Sequence, residues 1–173
     1  MKRLFLAFVG LLALSSCSIA PITIDLLPML GENASGSENI VATGELDLRL
    51  PDDEGETISG YETIQFKPSM VNLNYELDIS QDGNLQGSAE IAFYLTSPGG
   101  DLWDSTNMIG EAQQIDLSQN NQSISGTINL NSKQIDALMA GEITIGAKLS
   151  GDVTGSATVN YEFKQFILKI AFF

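Results

Sequence analysis

Val71-Asn72-Leu73-Asn74-Tyr75-Glu76-Leu77-Asp78-Ile79-Ser80 alternates apolar and polar residues without a break. Successive side chains of an extended chain point to opposite faces, so this stretch makes a strand with one dry and one wet face. Leu85, Ala89, Ile91, Phe93 and Leu95 carry the same parity onward. Leu46, Leu48 and Leu50 alternate with Asp47 and Arg49 upstream. Two further sets lie downstream: Ile143, Ile145, Ala147 and Leu149, then Ala157, Val159, Tyr161 and Phe163.

The connections read as tight turns. Asp82-Gly83 is a strong hairpin signal, because glycine tolerates the positive φ such turns need. Asn120-Asn121 and Gly151-Asp152 read the same way, the latter joining 142–150 to 153–163. One short helix is expected: Asn131 or Ser132 caps it, Ile135, Leu138 and Met139 share a face, and Gly141 closes it. Lys164 to Phe173 is apolar on both parities, as in a central strand covered on both faces, or an exposed apolar edge. The expected fold class is mainly β, an antiparallel β-sandwich with one short helix.

A short phrase recurs: apolar, x, Gly, x, apolar, x, apolar. It occurs around Gly87, Gly126 and Gly155, and more loosely around Gly44. In the three close copies the glycine falls on the inward parity, where it marks a bulge, a bend or the close approach of another backbone. None opens a strand-to-helix turn in a dinucleotide pattern.

The chain has 173 residues, with 22 Asp+Glu, 8 Lys+Arg, one Cys and no His. Without His there is no imidazole base, no His-ligated zinc and no Ser-His-Asp triad. A single Cys makes no intrachain disulfide and no thiolate cluster. The formal charge of −14 lacks the basic footprint of a nucleic-acid binder.

The start has its own grammar. Met1-Lys2-Arg3 is basic, Leu4 to Leu14 is apolar, and Leu14-Ser15-Ser16-Cys17 follows. The run is too short to span a bilayer and has the proportions of a signal peptide. The boundary resembles the lipobox of bacterial lipoproteins. That resemblance covers the first 17 residues and implies that Cys17 carries a diacylglyceryl thioether and becomes the acylated N-terminus. More than one acyl chain gives stable anchoring. Ser18, where Asp commonly marks inner-membrane retention, implies export to the outer membrane. The expected organisation is a signal peptide over 1–16, a lipidated N-terminus and tether over 17–40, and one β-sandwich domain over 41–173. Removing residues 1–16 takes two of the eight cations and no acids, so the charge falls to −16. The stretch 31–39 is small and polar like a linker, and the apolar residues of 22–30 either pack on the domain or lie near lipid headgroups. A flexible stretch over 18–40 would span about 25 Å.

Two loops are candidate sites. Trp103, the sole Trp, stands between Asp101 and Asp104; an aromatic beside carboxylates stacks on sugars or anchors a protein contact, or else folds back over the end of the sandwich. Asp52, Asp53, Glu54 and Glu56 form the densest acidic run, a weak candidate for Ca²⁺ against the plainer reading of a solvated turn. No serine-nucleophile signature is present, and no cofactor is expected. A transmembrane barrel fits poorly, since no aromatic girdles flank the strands.

The leading expectation is therefore a lipid-anchored envelope protein, a non-catalytic interaction or structural module. It would meet the membrane through its anchor and another envelope protein through loops or an edge. The alternatives are a carrier of a lipid or apolar ligand and a glycan-binding module around Trp103.

Overall fold

The structure, a computed structural model, describes residues 21–61 and 64–172. Residues 1–20, with the leader and Cys17, and Phe173 lie outside the described residues. The elements are β1 (Ile22–Asp25), the one-turn helix α1 (Leu27–Leu30), β2 (Ser35–Leu50), β3 (Glu56–Ser59), β4 (Met70–Gly83), β5 (Gln86–Thr96), β6 (Met108–Asp116), β7 (Asn121–Asn129), α2 (Ser132–Met139) and β8 (Glu142–Ala171). The architecture is an antiparallel β-sandwich with barrel character, as the alternation implies. No helix is long and apolar enough to cross a membrane, among the described residues.

The 30-residue β8 is the spine. One of its edges pairs with β5 over Thr144–Thr154, then with β4 over Ala157–Ala171. Its other edge carries β3, β2 and β1 in succession. β6 extends the β5 side and β7 the β4 side. Two sheets thus face each other, and β8 and β2 belong to both, bending from one into the other. Tyr75 of β4 meets Phe93 of β5 across the core, with ring centroids 4.6 Å apart, and Phe93 stands 6.2 Å from Phe163 of β8. The apolar parity of each strand points inward: Val71, Leu77, Leu85, Ile91, Ile143, Leu168 and Ile170 have no exposed surface.

The hairpin readings are corrected. β4 and β5 do not pair with each other; each pairs with β8, so Asp82-Gly83 begins a crossover between sheets. β6 and β7, flanking Asn120-Asn121, pair with β5 and β4 respectively. Gly151-Asp152 is not a turn at all: Gly151 lies within β8, opposite Leu46 and Ala89. A pair of polar or glycine residues marks a place where the chain bends, but not which strand it then meets. That choice is made by burial of the long spine strand on both edges.

The recurring glycines sort into distinct roles. At Gly87 (φ +123°) a Cβ would strike the Asp152 carbonyl, and at Gly155 (φ +110°) the Asn84 carbonyl. These two sit where the chain after β4 meets β8 in close backbone contact, although Gly87 itself is exposed and Gly155 only half-buried. Gly126 instead lies opposite Tyr75, whose ring fills the place of its side chain. Gly36 is covered by Tyr161 in the same way, and Gly146, opposite Tyr94, is covered by Trp103. An aromatic laid over a cross-strand glycine restores the packing that the glycine lacks.

The expected helix is present as α2. Asn131 accepts from Gln134 N at 3.1 Å and Gln134 Oε1 accepts from Asn131 N at 2.8 Å, a reciprocal capping box. Tyr61 donates to the Leu138 carbonyl at 3.0 Å, tying the segment after β3 to the last turn of α2. Burial, then the nearby Glu142 carboxylate, pushes the Tyr61 hydroxyl up to about 12.

The tether reading over 17–40 is also corrected for the residues described. β1 pairs with Ile167–Ile170, Leu26 and Leu30 are buried, and Ser35–Ile40 form the first part of β2. The stretch 31–39 is a one-turn 3-10 helix (Gly31–Ala34) running into β2, polar because it lies at the surface and not because it is a free linker. The segment after Lys164 is central, flanked by β4 and β1, with Phe166, Leu168 and Ile170 buried.

Candidate functional site

The two loops singled out in the sequence meet in space. The Trp103 indole N–H donates to the Asp53 carbonyl at 2.7 Å. Arg49 lies over the Trp103 ring, 5.3 Å from its centroid, and also pairs with Asp53 at 3.3 Å. Tyr94 meets the ring edge-on at 5.4 Å. Trp103 is half-buried and covers Gly146 of β8, so it folds back over the sheet and holds the acidic loop down. Beside it runs a polar groove of about 380 Å³ bordered by Asp53, Glu54, Thr57, Asp101, Trp103 and Thr144.

The carboxylates here are largely committed to their own loops. Asp101 Oδ1 accepts from Trp103 N at 3.2 Å, and Asp104 Oδ1 accepts from Thr106 N at 2.8 Å. Hydrogen bonds from Thr106 hold the Asp104 carboxyl below the usual carboxylate range. Asp52 Oδ1 accepts from Glu54 N and Gly55 N at 2.8 and 2.9 Å, and Glu56 accepts from Asn33 at 2.5 Å. Short acidic side chains capping the backbone two or three residues ahead are what shape such turns. Among the described residues no three His, Cys, Asp or Glu side chains are grouped so as to hold a metal ion.

A second surface was not singled out in the sequence. On the outer face of the β2–β8–β4–β7 sheet, register aligns Ser37, Asn160, Ser80 and Asn121 in one row. Ser35, Glu162, Asp78 and Ser123 form the next. Residues opposite each other in register share a face, so these eight side chains border one shallow groove of about 690 Å³. Lys164 sits beside it, 2.6 Å from Glu162 and 4.0 Å from Asp78. Those carboxylates, Glu162 first, push the Lys164 amine up. The polar half of the alternation was visible in β4; its assembly with β2, β7 and β8 depends on strand order.

Two small voids lie between the sheets among the described residues: one bordered by Leu30, Leu50, Phe93, Phe163 and Phe166 is about 30 Å³, and another beside Leu77 and Leu149 is about 10 Å³. Neither admits more than a water molecule or two.

No protein-family model matches the chain, and no curated protein matches it in sequence. Among solved structures, it aligns with a non-crystalline cellulose specific carbohydrate-binding module at 7% identity, over 70% of this chain and 71% of that one, with a TM-score of 0.39. It aligns with the structure of infectious bursal disease virus Gx strain at 12% identity, over 89% of this chain and 33% of that one, with a TM-score of 0.35. At these scores neither likeness bears on what this chain binds.

Proposed function

We propose that the chain is a lipid-anchored protein of the bacterial cell envelope, held at the outer membrane, whose folded domain acts by binding rather than by catalysis. The observation that carries this reading is the leader ending in Leu14-Ser15-Ser16-Cys17. A basic start, a short apolar run, two small residues and a lone Cys together resemble a lipoprotein processing site. The polar rows over β2, β8, β4 and β7 support a binding role. They offer hydroxyl and amide groups at the roughly 4.8 Å spacing of neighbouring strands, which suits a broad polar partner. The apolar-carrier alternative needs an interior of several hundred Å³, which voids of about 30 and 10 Å³ do not supply.

Metabolic labelling with radioactive palmitate tests the anchor. The wild-type chain is expected to take label and Cys17→Ala to lose it; equal labelling of the two would sink the reading.

A second reading, glycan binding, is favoured by one observation: the acidic loop and Trp103 border the same polar groove. With one Trp in the chain, its emission reports on that groove alone. A glycan seated beside the ring is expected to shift the emission in titrations with soluble envelope polysaccharides. Unchanged emission across the panel removes this reading.

A further inference from the structure

β1, the first described element, pairs with β8 and leads from the residues that follow Cys17. Between β1 and residues 60, 61 and 64–66 runs an open groove of about 610 Å³, bordered by Ile22, Ile24, Asp25, Ile64, Phe66 and Phe172. Phe66 is 69% exposed and Ile22 41%. Met70, 40% exposed, pairs in register with Ala171 next to Phe172. Clustered apolar exposure of this kind marks a contact surface, whereas isolated exposed hydrophobics need no explanation.

What covers it follows from where the chain enters. β1 begins at Ile22, five residues after Cys17. Five fully extended residues reach about 17 Å. The stretch from Ile22 to residue 40, expected as part of a flexible tether of about 25 Å, instead carries β1, α1 and the start of β2. Acyl chains on Cys17 would therefore hold this edge, and no other, against the bilayer. The charge around the groove is mixed: Lys67, bonded to Asp136 at 2.6 Å, lies next to Phe66, Lys169 is opposite Thr23 of β1, and Asp25 borders the groove.

We propose that this edge is a membrane-docking face. Ile22, Phe66 and Phe172 sit at the headgroup–acyl boundary of the bilayer that carries the chain's own anchor, and the domain stands on β1 with its polar sheet face free. The proposal rests on the lipid-anchor reading above. Interfacial burial of a few exposed apolar side chains is weak alone, but an anchor within reach makes it effectively intramolecular.

The test uses the full acylated chain reconstituted in vesicles of phosphatidylethanolamine and phosphatidylglycerol. An environment-sensitive fluorophore is placed at Gln65→Cys, and separately at Asn120→Cys in the distant β6–β7 turn. Flotation of the vesicles reports the anchor independently. The expected result is blue-shifted emission at position 65, severalfold stronger quenching there by lipids brominated near the carbonyl than at position 120, and little quenching by aqueous iodide. Phe66→Asp, at an exposed position that leaves the core intact, should return the position-65 emission to its aqueous value while flotation persists. If the chain floats but position 65 is as open to iodide as position 120, docking is wrong and the anchor stands. A chain that does not float overturns both. Concentration-dependent shielding of position 65 in detergent would put a second copy on the groove and overturn the proposal.

Discussion

Gly87→Val is expected to lower the thermal midpoint by about 10 °C. The added Cβ would meet the Asp152 carbonyl, a backbone atom in the spine strand that cannot step aside. The residue also sits at φ +123°, which a β-branched side chain adopts only under strain. Overpacking against a fixed neighbour costs about 1–3 kcal/mol and a strained dihedral about as much again. A loss of about 3 kcal/mol or more corresponds to a shift of that size for a domain of this length. Gly44→Ala is the control. It stands in the loose copy of the same phrase at φ +150°, with nothing within 4 Å of the added Cβ. Its cost is the backbone alone, about 1 kcal/mol. Equal midpoints for the two variants, measured by thermal scanning with circular dichroism, would show that the crossing of the β4–β5 connection over β8 is not tight.

The second large effect is expected at Phe93. Phe93→Ala should cost about 3–5 kcal/mol, measured by urea denaturation with an unchanged slope. Phe93 is 3% exposed and lies against Tyr75 from the opposite sheet and Phe163 from the bent part of β8. Part of the loss is transfer of the ring, part the cavity left behind, and part the two aromatic pairs. The site already borders the 30 Å³ void, so the enlarged space has no nearby side chain ready to fill it. Phe93→Leu, which keeps most of the apolar volume, should recover much of the stability. A Phe93→Ala loss under about 1 kcal/mol would mean that the sheets are held together elsewhere.

Both effects depend on features that were legible in part. The inward position of Phe93 follows from alternation alone, since period two assigns every residue of a strand to a face; Gly87 shares that parity but lies exposed at the start of β5. The start of α2 was likewise legible as Asn131 or Ser132; the structure uses Asn131, in a reciprocal box with Gln134 that the sequence reading did not name. What failed were the partners. Asp82-Gly83, Asn120-Asn121 and Gly151-Asp152 look like hairpin turns at short range, yet the strands around the first two pair elsewhere and the third has no turn. The Trp103 site shows the same division. Asp101 and Asp104 sit beside Trp103 in sequence, but the contacts that fix the ring come from Asp53, Arg49 and Tyr94. Asp53 is fifty residues away, and only strand order brings it there.

By itself, the sequence determined the β class, the dry face of most strands and the position of α2. Each rests on interactions within a few residues: alternation and capping. Only the tertiary structure decided that β8 is one continuous spine, that the polar residues of four strands form one surface, and that residues 22–30 belong to the sandwich. Those outcomes come from pairing between residues far apart in the chain, where several registers bury the same apolar faces and close packing against β8 selects one.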